Sequence, residues 1–483
     1  MLLPLRQYTP DALRRRVVVV RIVRYHSTNV KHFFEEGTMH IGLDFGTTTT
    51  VASVFDGNTI HLIPLDPVDT TPTVMRSVLL ISREGDLMVG RAAIDHYTAT
   101  NIGRVVEYKD VVLGVLQMHF ADLTITRDIH AIVDANVPVR LFQSLKTALR
   151  DPSYTSTDVF GTRWSVEEVV AAYLREVKQR VENYLGERIT SVTVGRPVHY
   201  ADNPQDDALI VARMRRAAQL AGYPALHFLE EPVAAAYAYK QQIVEPRTVF
   251  VFDFGGGTLD TTVMLLDPSG TPEVMATGGV SIGGDLLDSR IVMGSLLPYF
   301  GAGATLGNRR LPLPAFIHEH LADWQSIAEL HKPGRWELLE QAVAMGDKQR
   351  ELRALRSLVH ENYGLLLYSE VEQAKRRLSS ERETTVAMDV GDIHFQHELA
   401  RNEFDRLIGP ETRTIAACVD QTLREAGARL EDIDVAVRTG GSSRIPRFVR
   451  MLRDRFGEDR LYAMDSFTSV GAGLGVAAWE RGR

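Results

Sequence analysis

Two short stretches carry residue types that could do chemistry on a phosphate. The first is IGLDFGTTTT, Ile41 to Thr50, and the second is VFDFGGGTLD, Val251 to Asp260. Each runs an apolar segment into Asp-Phe-Gly and then into small or hydroxylated residues. Their aspartates, Asp44 and Asp253, stand 209 positions apart (253 minus 44). A carboxylate at the end of a buried strand emerges where the backbone turns. Gly255, Gly256 and Gly257 lack a Cβ and can take positive φ, so their N–H groups can come close to an anion. Thr258 adds a hydroxyl donor, and Gly46, Thr47 and Thr48 fill the same role in the first copy. Facing each other, two such turns would hold a polyphosphate. Asp44 and Asp253 would then bind the water shell of Mg²⁺, which keeps several waters and takes few carboxylates directly. A hairpin whose aspartate bonds only its own turn would explain one copy. Two copies of one D-F-G-x-x-T pattern favour the clamp.

Holding two such turns in place takes strands covered by helices. Ser165 to Gly186 predicts a helix: Ser165 and Glu168 form a capping box, Val170, Leu174, Val177, Val181 and Leu185 recur on one face, and Gly186 closes it. The strand ITSVTVGRP follows, with Pro197 after its last pairing position. A second helix is expected over about 206–221, stopped by Gly222. ALHFLEEP then reads as a buried strand ending in Glu230 and Glu231, and VAAAYAYKQQ as helix. This βαβαβ order indicates an α/β core with strands covered on both faces.

Bulk properties exclude several classes. The 483 residues, 45% hydrophobic, can bury a large core and suit two or more domains. With 54 basic against 62 acidic side chains, net charge is −8, so no general attraction to nucleic acid is expected. The single cysteine, Cys418, suits a reducing compartment. No apolar run approaches a membrane span, and the chain reads as cytoplasmic. Residues 1–38 differ, with seven Arg or Lys against three acids. They could be an Arg-rich transit peptide, but the reading preferred here is an extension without a role, with Met39 as the start.

Five motifs in order then make the chain recognisable: GLDFGTTTT, EEPVAAAYAY, FDFGGGTLD, EQAKRRLSS and GGSSRIP. From about Met39 onward the chain resembles the ATPase domain of the DnaK-type heat-shock chaperones, within the actin–hexokinase superfamily. GRPVHY and DSFTSVGAGLGVAAW look closer to the divergent YegD-type branch, which lacks the chaperones' peptide-binding half. The resemblance implies a duplicated actin-like α/β fold, two lobes each split into two subdomains around a nucleotide cleft. Lobe I would cover 39–245, completed by 465–483, and lobe II 246–464.

The resemblance also implies roles for individual residues. Alone, Glu372, Lys375, Arg376 and Ser379 read as a solvated ion-pair stripe at i, i+3, i+4 and i+7 of a helix; by resemblance they bind adenosine. Arg376 would stack on the purine while Glu372 and Lys375 hold ribose hydroxyls. Gly440, Gly441, Ser442, Arg444 and Ile445 would form the opposite wall, with Arg444 sandwiching the base. Gly283, Gly284 and Asp465 align with further nucleotide contacts. Lys146 matches the catalytic lysine, with Lys109 as the alternative. Glu231 would ligate a metal-bound water and serve as base, and Asp260 would support the metal shell.

Some positions depart from the family pattern. IGGDLLDSR has Leu286 where an acid is usual, while Asp285 and Asp288 remain. The arginine beside a glutamine after the switch proline is missing. The stretch 291–367, carrying Trp324 and Trp336, is longer than the norm. The chain ends 18 residues past Asp465, so no peptide-binding domain is expected. These residues lead to an expected slow Mg-dependent ATPase of chaperone type, binding ATP or ADP, with co-chaperones or exchange factors as partners and no membrane or nucleic acid. The alternatives are a small-molecule kinase or phosphatase, an actin-like filament protein, and a nucleotide-sensing scaffold that uses the long stretch as its partner surface.

Overall fold

The computed structural model describes residues 39–482 apart from 105–107, 121–122, 135, 199, 201–202 and 465–467; for 108–120, 123–134 and 333 it gives the backbone alone. Residues 1–38 and Asp465 therefore lie outside the described residues.

Two five-strand paths repeat one pattern. In the first sheet, His40–Phe45 turns back antiparallel into Thr49–Phe55, which pairs antiparallel with Ile60–Leu62. On its other side His40–Phe45 runs parallel to Ser191–Arg196, and that strand parallel to Leu226–Glu230. In the second sheet, Arg247–Phe254 turns back into Leu259–Leu266, which pairs antiparallel with Glu273–Val280. Its other side runs parallel to Val435–Thr439, and that strand parallel to Leu461–Ala463. The fold is duplicated, and each half places one Asp-Phe-Gly at the same point, the end of its central strand. The central strands are apolar on both faces, and Phe250, Phe252 and Phe254 have no exposed surface, as expected where helices cover both sides.

Helices form where the sequence placed them, for local reasons. Val166–Leu185 begins at a completed capping box: the Ser165 hydroxyl accepts from the Glu168 N–H at 3.2 Å, and the Glu168 carboxylate accepts from the Ser165 N–H at 2.7 Å. It ends at Gly186, φ 72°. The next helix, Pro204–Leu220, starts earlier than expected because the Asn203 side chain accepts from the Gln205 N–H at 2.9 Å and proline suits the first turn. The strand Leu226–Glu230 is half-buried rather than buried, because it forms an edge of the first sheet.

The last helix, Ser469–Gly482, has little amphipathic pattern and is buried all round from Ser469 to Ala478. Its glycines let it lie against the first sheet and the helix Glu231–Lys240. A Cβ on Gly473 would sit 1.6 Å from the Ala234 carbonyl oxygen, and one on Gly475 2.3 Å from the Ser53 hydroxyl.

The long stretch expected at 291–367 is core as well as surface. It folds into short helices, including Pro333–Met345 and Gln349–His360. Leu321, Leu330, Leu339, Leu352, Leu355 and Leu358 have no exposed surface and join the same cluster as Phe252 and Phe254. Trp336 stacks between His331 and His360, with ring centroids 5.8 and 5.4 Å away.

Candidate functional site

The two Asp-Phe-Gly hairpins meet tip to tip. Each has a four-residue turn closed by the same bond: Gly46 N–H donates to Thr49 O at 2.9 Å, and Gly255 N–H to Thr258 O at 3.0 Å. Thr49 is thus the counterpart of Thr258 and lines the cleft with it. Sequence reasoning named Thr47 and Thr48, which also line the cleft, and passed over Thr49, which the aligned D-F-G-x-x-T pattern marks.

The expected need for positive φ at Gly255, Gly256 and Gly257 is not met, since none adopts it. What the glycines supply is room. A Cβ on Gly256 would stand 2.1 Å from the Thr48 hydroxyl, and one on Gly257 2.7 Å from that of Thr47. Side chains there would push the tips apart.

Around the tips lies a cleft of about 930 Å³. Asp44, Gly46, Thr47, Thr48, Lys146 and Glu231 line it from the first half; Asp253, Gly255, Gly256, Gly257 and Thr258 line it from the second. Asp260 does not face the cleft directly. It is 3% exposed behind the second tip, accepting from the Thr258 hydroxyl at 3.0 Å and the Val198 N–H at 3.2 Å. Thr258 therefore spends its hydroxyl proton on a carboxylate.

Charge is concentrated here. Lys146, 6% exposed, forms an ion pair with Glu231; burial works against its charge, but the Glu231 carboxylate beside it outweighs that and holds the ammonium protonated. The side chain of Lys109, in the strand Tyr108–Phe120, is not described. Asp44 has part of its surface open to the cleft, yet shielding from bulk water and then the Glu231 charge push it up to about 7, against the pull of Lys146. Burial pushes Asp260 to about 7 and Asp253 well above the usual carboxylate range. Crowded carboxylates with raised affinity for protons are also disposed to take a cation. Among the described residues, no three His, Cys, Asp or Glu side chains converge closely enough to ligate a metal directly. Oxygen donors set around open space fit Mg²⁺ held largely through water.

Further along the cleft, the helix Gly364–Arg377 presents Glu372, Lys375 and Arg376, with Ser379 in the turn just past its end. Glu372 accepts a fork from Arg76 at 3.2 and 3.0 Å and a bond from Arg376 at 2.7 Å. Lys375 donates to Asp288 at 2.6 Å and to the Gly284 carbonyl at 2.8 Å. Both are engaged within the protein and line the cleft. Asp285 and Asp288 are pushed by burial to about 6 and about 7. Gly440, Gly441, Ser442, Arg444 and Ile445 line the facing wall. Gly440 has φ +80°, and a Cβ would meet the Phe254 carbonyl oxygen at 2.2 Å. Ser442 donates to the Gly255 carbonyl at 2.9 Å, tying this wall to the second tip. Gly284 lines the cleft but Gly283 does not; a Cβ on Gly283 would strike the Gly256 carbonyl oxygen at 2.1 Å, so it buttresses the turn. The N–H groups of Gly284 and Asp285 are spent on the Gly255 and Gly256 carbonyls at 3.0 and 2.9 Å.

Comparison with known proteins decides the family. The model described as Hsp70 protein matches residues 40–299 and 360–479, most of the chain. The chain belongs to the Hsp70 family. Its fold is accordingly the duplicated actin-like ATPase fold, two lobes around a cleft. Similar relatives include the chaperone protein DnaK of Thermus thermophilus, 27% identical over 90% of this chain. The chaperone protein dnaK of Cyanidioschyzon merolae is 26% identical over 91%, and the heat shock 70 kDa protein BIP3 of Oryza sativa 28% over 86%. The chain spans 60%, 62% and 52% of these relatives' own lengths. Residues 300–359 fall between the matched spans and lie inside the stretch 291–367 that reads from sequence as longer than the family norm.

Proposed function

We propose that this chain is an Mg²⁺-dependent ATP-binding and ATP-hydrolysing protein of chaperone type. The observation that carries the reading is the contact of the two hairpin tips beside Asp44, Asp253, Asp260, Glu231 and Lys146. Residues 39–245 with the last helix form lobe I and 246–464 lobe II, with the β- and γ-phosphates between the tips. Mg²⁺, when bound, neutralises phosphate charge. Asp44, Asp253 and Glu231 hold its water shell, and Asp260, tied to Thr258, supports them. Lys146 stabilises charge on the γ-phosphate and Glu231 orients and deprotonates the attacking water. Catalysis is then mostly positioning and electrostatics. Arg376 and Arg444 sandwich the adenine; Glu372 and Lys375 exchange internal partners for ribose hydroxyls. Lobe closure offers co-chaperones or exchange factors a surface that differs between nucleotide states.

Calorimetric titration with ATP tests the binding half. Saturable 1:1 binding at micromolar or lower concentration, weakened when Mg²⁺ is chelated, is expected; no binding at millimolar ATP would remove the reading.

A further inference from the structure

One arginine on the cleft wall has no carboxylate paired with it among the described residues. Arg438 stands near the end of the strand Val435–Thr439, in register with Phe252 and one step before Thr439 meets Asp253. It is half-buried and lines the same cleft as the hairpin tips, beside Ala463, its partner in the next strand, and Met464. Three other cations of the cleft are spent on acids: Lys146 on Glu231, Lys375 on Asp288 and Arg376 on Glu372. Arg438 makes one hydrogen bond among the described residues, a long one from Nη1 to the Ser443 carbonyl at 3.4 Å. Its Nε is buried and has no partner among them.

The surroundings of Arg438 work against its charge. Burial first, then the guanidinium groups of Arg444 and Arg453, hold its pKa below the usual arginine range, while Glu458 pulls the other way. Glu458 is itself paired with Arg453. A buried guanidinium donor left unpaired is costly. The strand does not need a charge for packing, since Ala436, two residues back on the same face, is apolar and buried. A planar guanidinium fork matches the oxygens of a phosphate group. At about 930 Å³ the cleft lies near the top of the roughly 300–1,000 Å³ range of ligand pockets, which leaves room for a group beyond the polyphosphate.

We propose that Arg438, with Arg444 beside it, forms a second anion subsite in the cleft, for a phosphate group other than those held at the hairpin tips. This rests on the nucleotide reading above. The group is a free phosphate ion or a phosphate carried elsewhere on the nucleotide; both present the same oxygens to the fork. Arg444 stacks on the base with its face and turns its N–H edge to the anion. The bound group supplies the counter-charge that Arg438 lacks within the protein.

Two calorimetric titrations test the subsite in wild type, Arg438→Met and Arg438→Lys. In the first, inorganic phosphate is added to chain saturated with Mg²⁺ and a non-hydrolysable ATP analogue, so that the polyphosphate position is already filled. In the second, ADP is compared with ADP carrying an extra phosphate on the ribose 3′ oxygen. Saturable binding of one phosphate in the first titration identifies the free ion as the occupant. Binding of the 3′-phosphorylated nucleotide at least about tenfold tighter than ADP identifies the nucleotide's own phosphate. Whichever gain wild type shows should fall at least about tenfold in Arg438→Met, the scale of one hydrogen bond to a charged group. Arg438→Lys keeps the charge without the fork and should lose part of the gain; it decides the matter if Arg438→Met does not fold. No gain in either titration of wild type, or a gain unchanged by the substitutions, would overturn the subsite and leave the nucleotide reading standing. Failure of wild type to bind the ATP analogue would overturn both.

Discussion

At the scale of residues, the site is a set of carboxylates held where they prefer to be neutral. Asp44 and Asp260 stand at about 7 in the folded chain, against about 4 when unfolded. Between those values the folded state keeps protons the unfolded state has released. Their contribution therefore turns against the fold as pH rises through that window, absent below about 4 and complete above about 7. A bound cation needs the ionised forms, so stabilisation by Mg-ATP should grow over the same range. Thermal midpoints with and without Mg-ATP should diverge steadily from pH 5.5 to 7.5; a constant gap would contradict the assignment. Asp44 and Asp253 were legible because two strands run into the same tripeptide. Thr49 was passed over because four threonines in a row hide which one closes the turn. The internal bonds of Glu372 and Lys375 were invisible, since their partners Arg76 and Asp288 lie 296 and 87 positions away.

At the scale of elements, local chemistry explains what could be foreseen. The helix Val166–Leu185 was legible because its cap, its apolar stripe and its closing glycine agree. The half-buried strand Leu226–Glu230 was not, because sheet order decides which strand is an edge and composition does not. The stretch 291–367 was offered, in one alternative, as a partner surface, yet Leu321, Leu330, Leu339, Leu352, Leu355 and Leu358 belong to the same core cluster as Phe252 and Phe254. Leu355, with no exposed surface, should behave as a core residue. Leu355→Ala is expected to cost about 2–5 kcal/mol by denaturant unfolding; a loss below about 1 kcal/mol would mean the segment is peripheral after all.

At the scale of the whole molecule, duplication makes the site. Two sheets of the same strand order each bring one glycine turn to the same point, and the site exists only where the halves meet. The last helix, Ser469–Gly482, packs against the first sheet although it follows the second in sequence, so the first half is completed by chain that comes after the second. Among the described residues no helix is long and apolar enough to cross a membrane. The deciding measurement is steady-state phosphate release from ATP with Mg²⁺, for wild type and Asp253→Ala. The account predicts slow turnover by wild type and a loss of at least about a hundredfold in the variant, of the order seen when one preorganised electrostatic group is removed. Undiminished turnover by Asp253→Ala would contradict it.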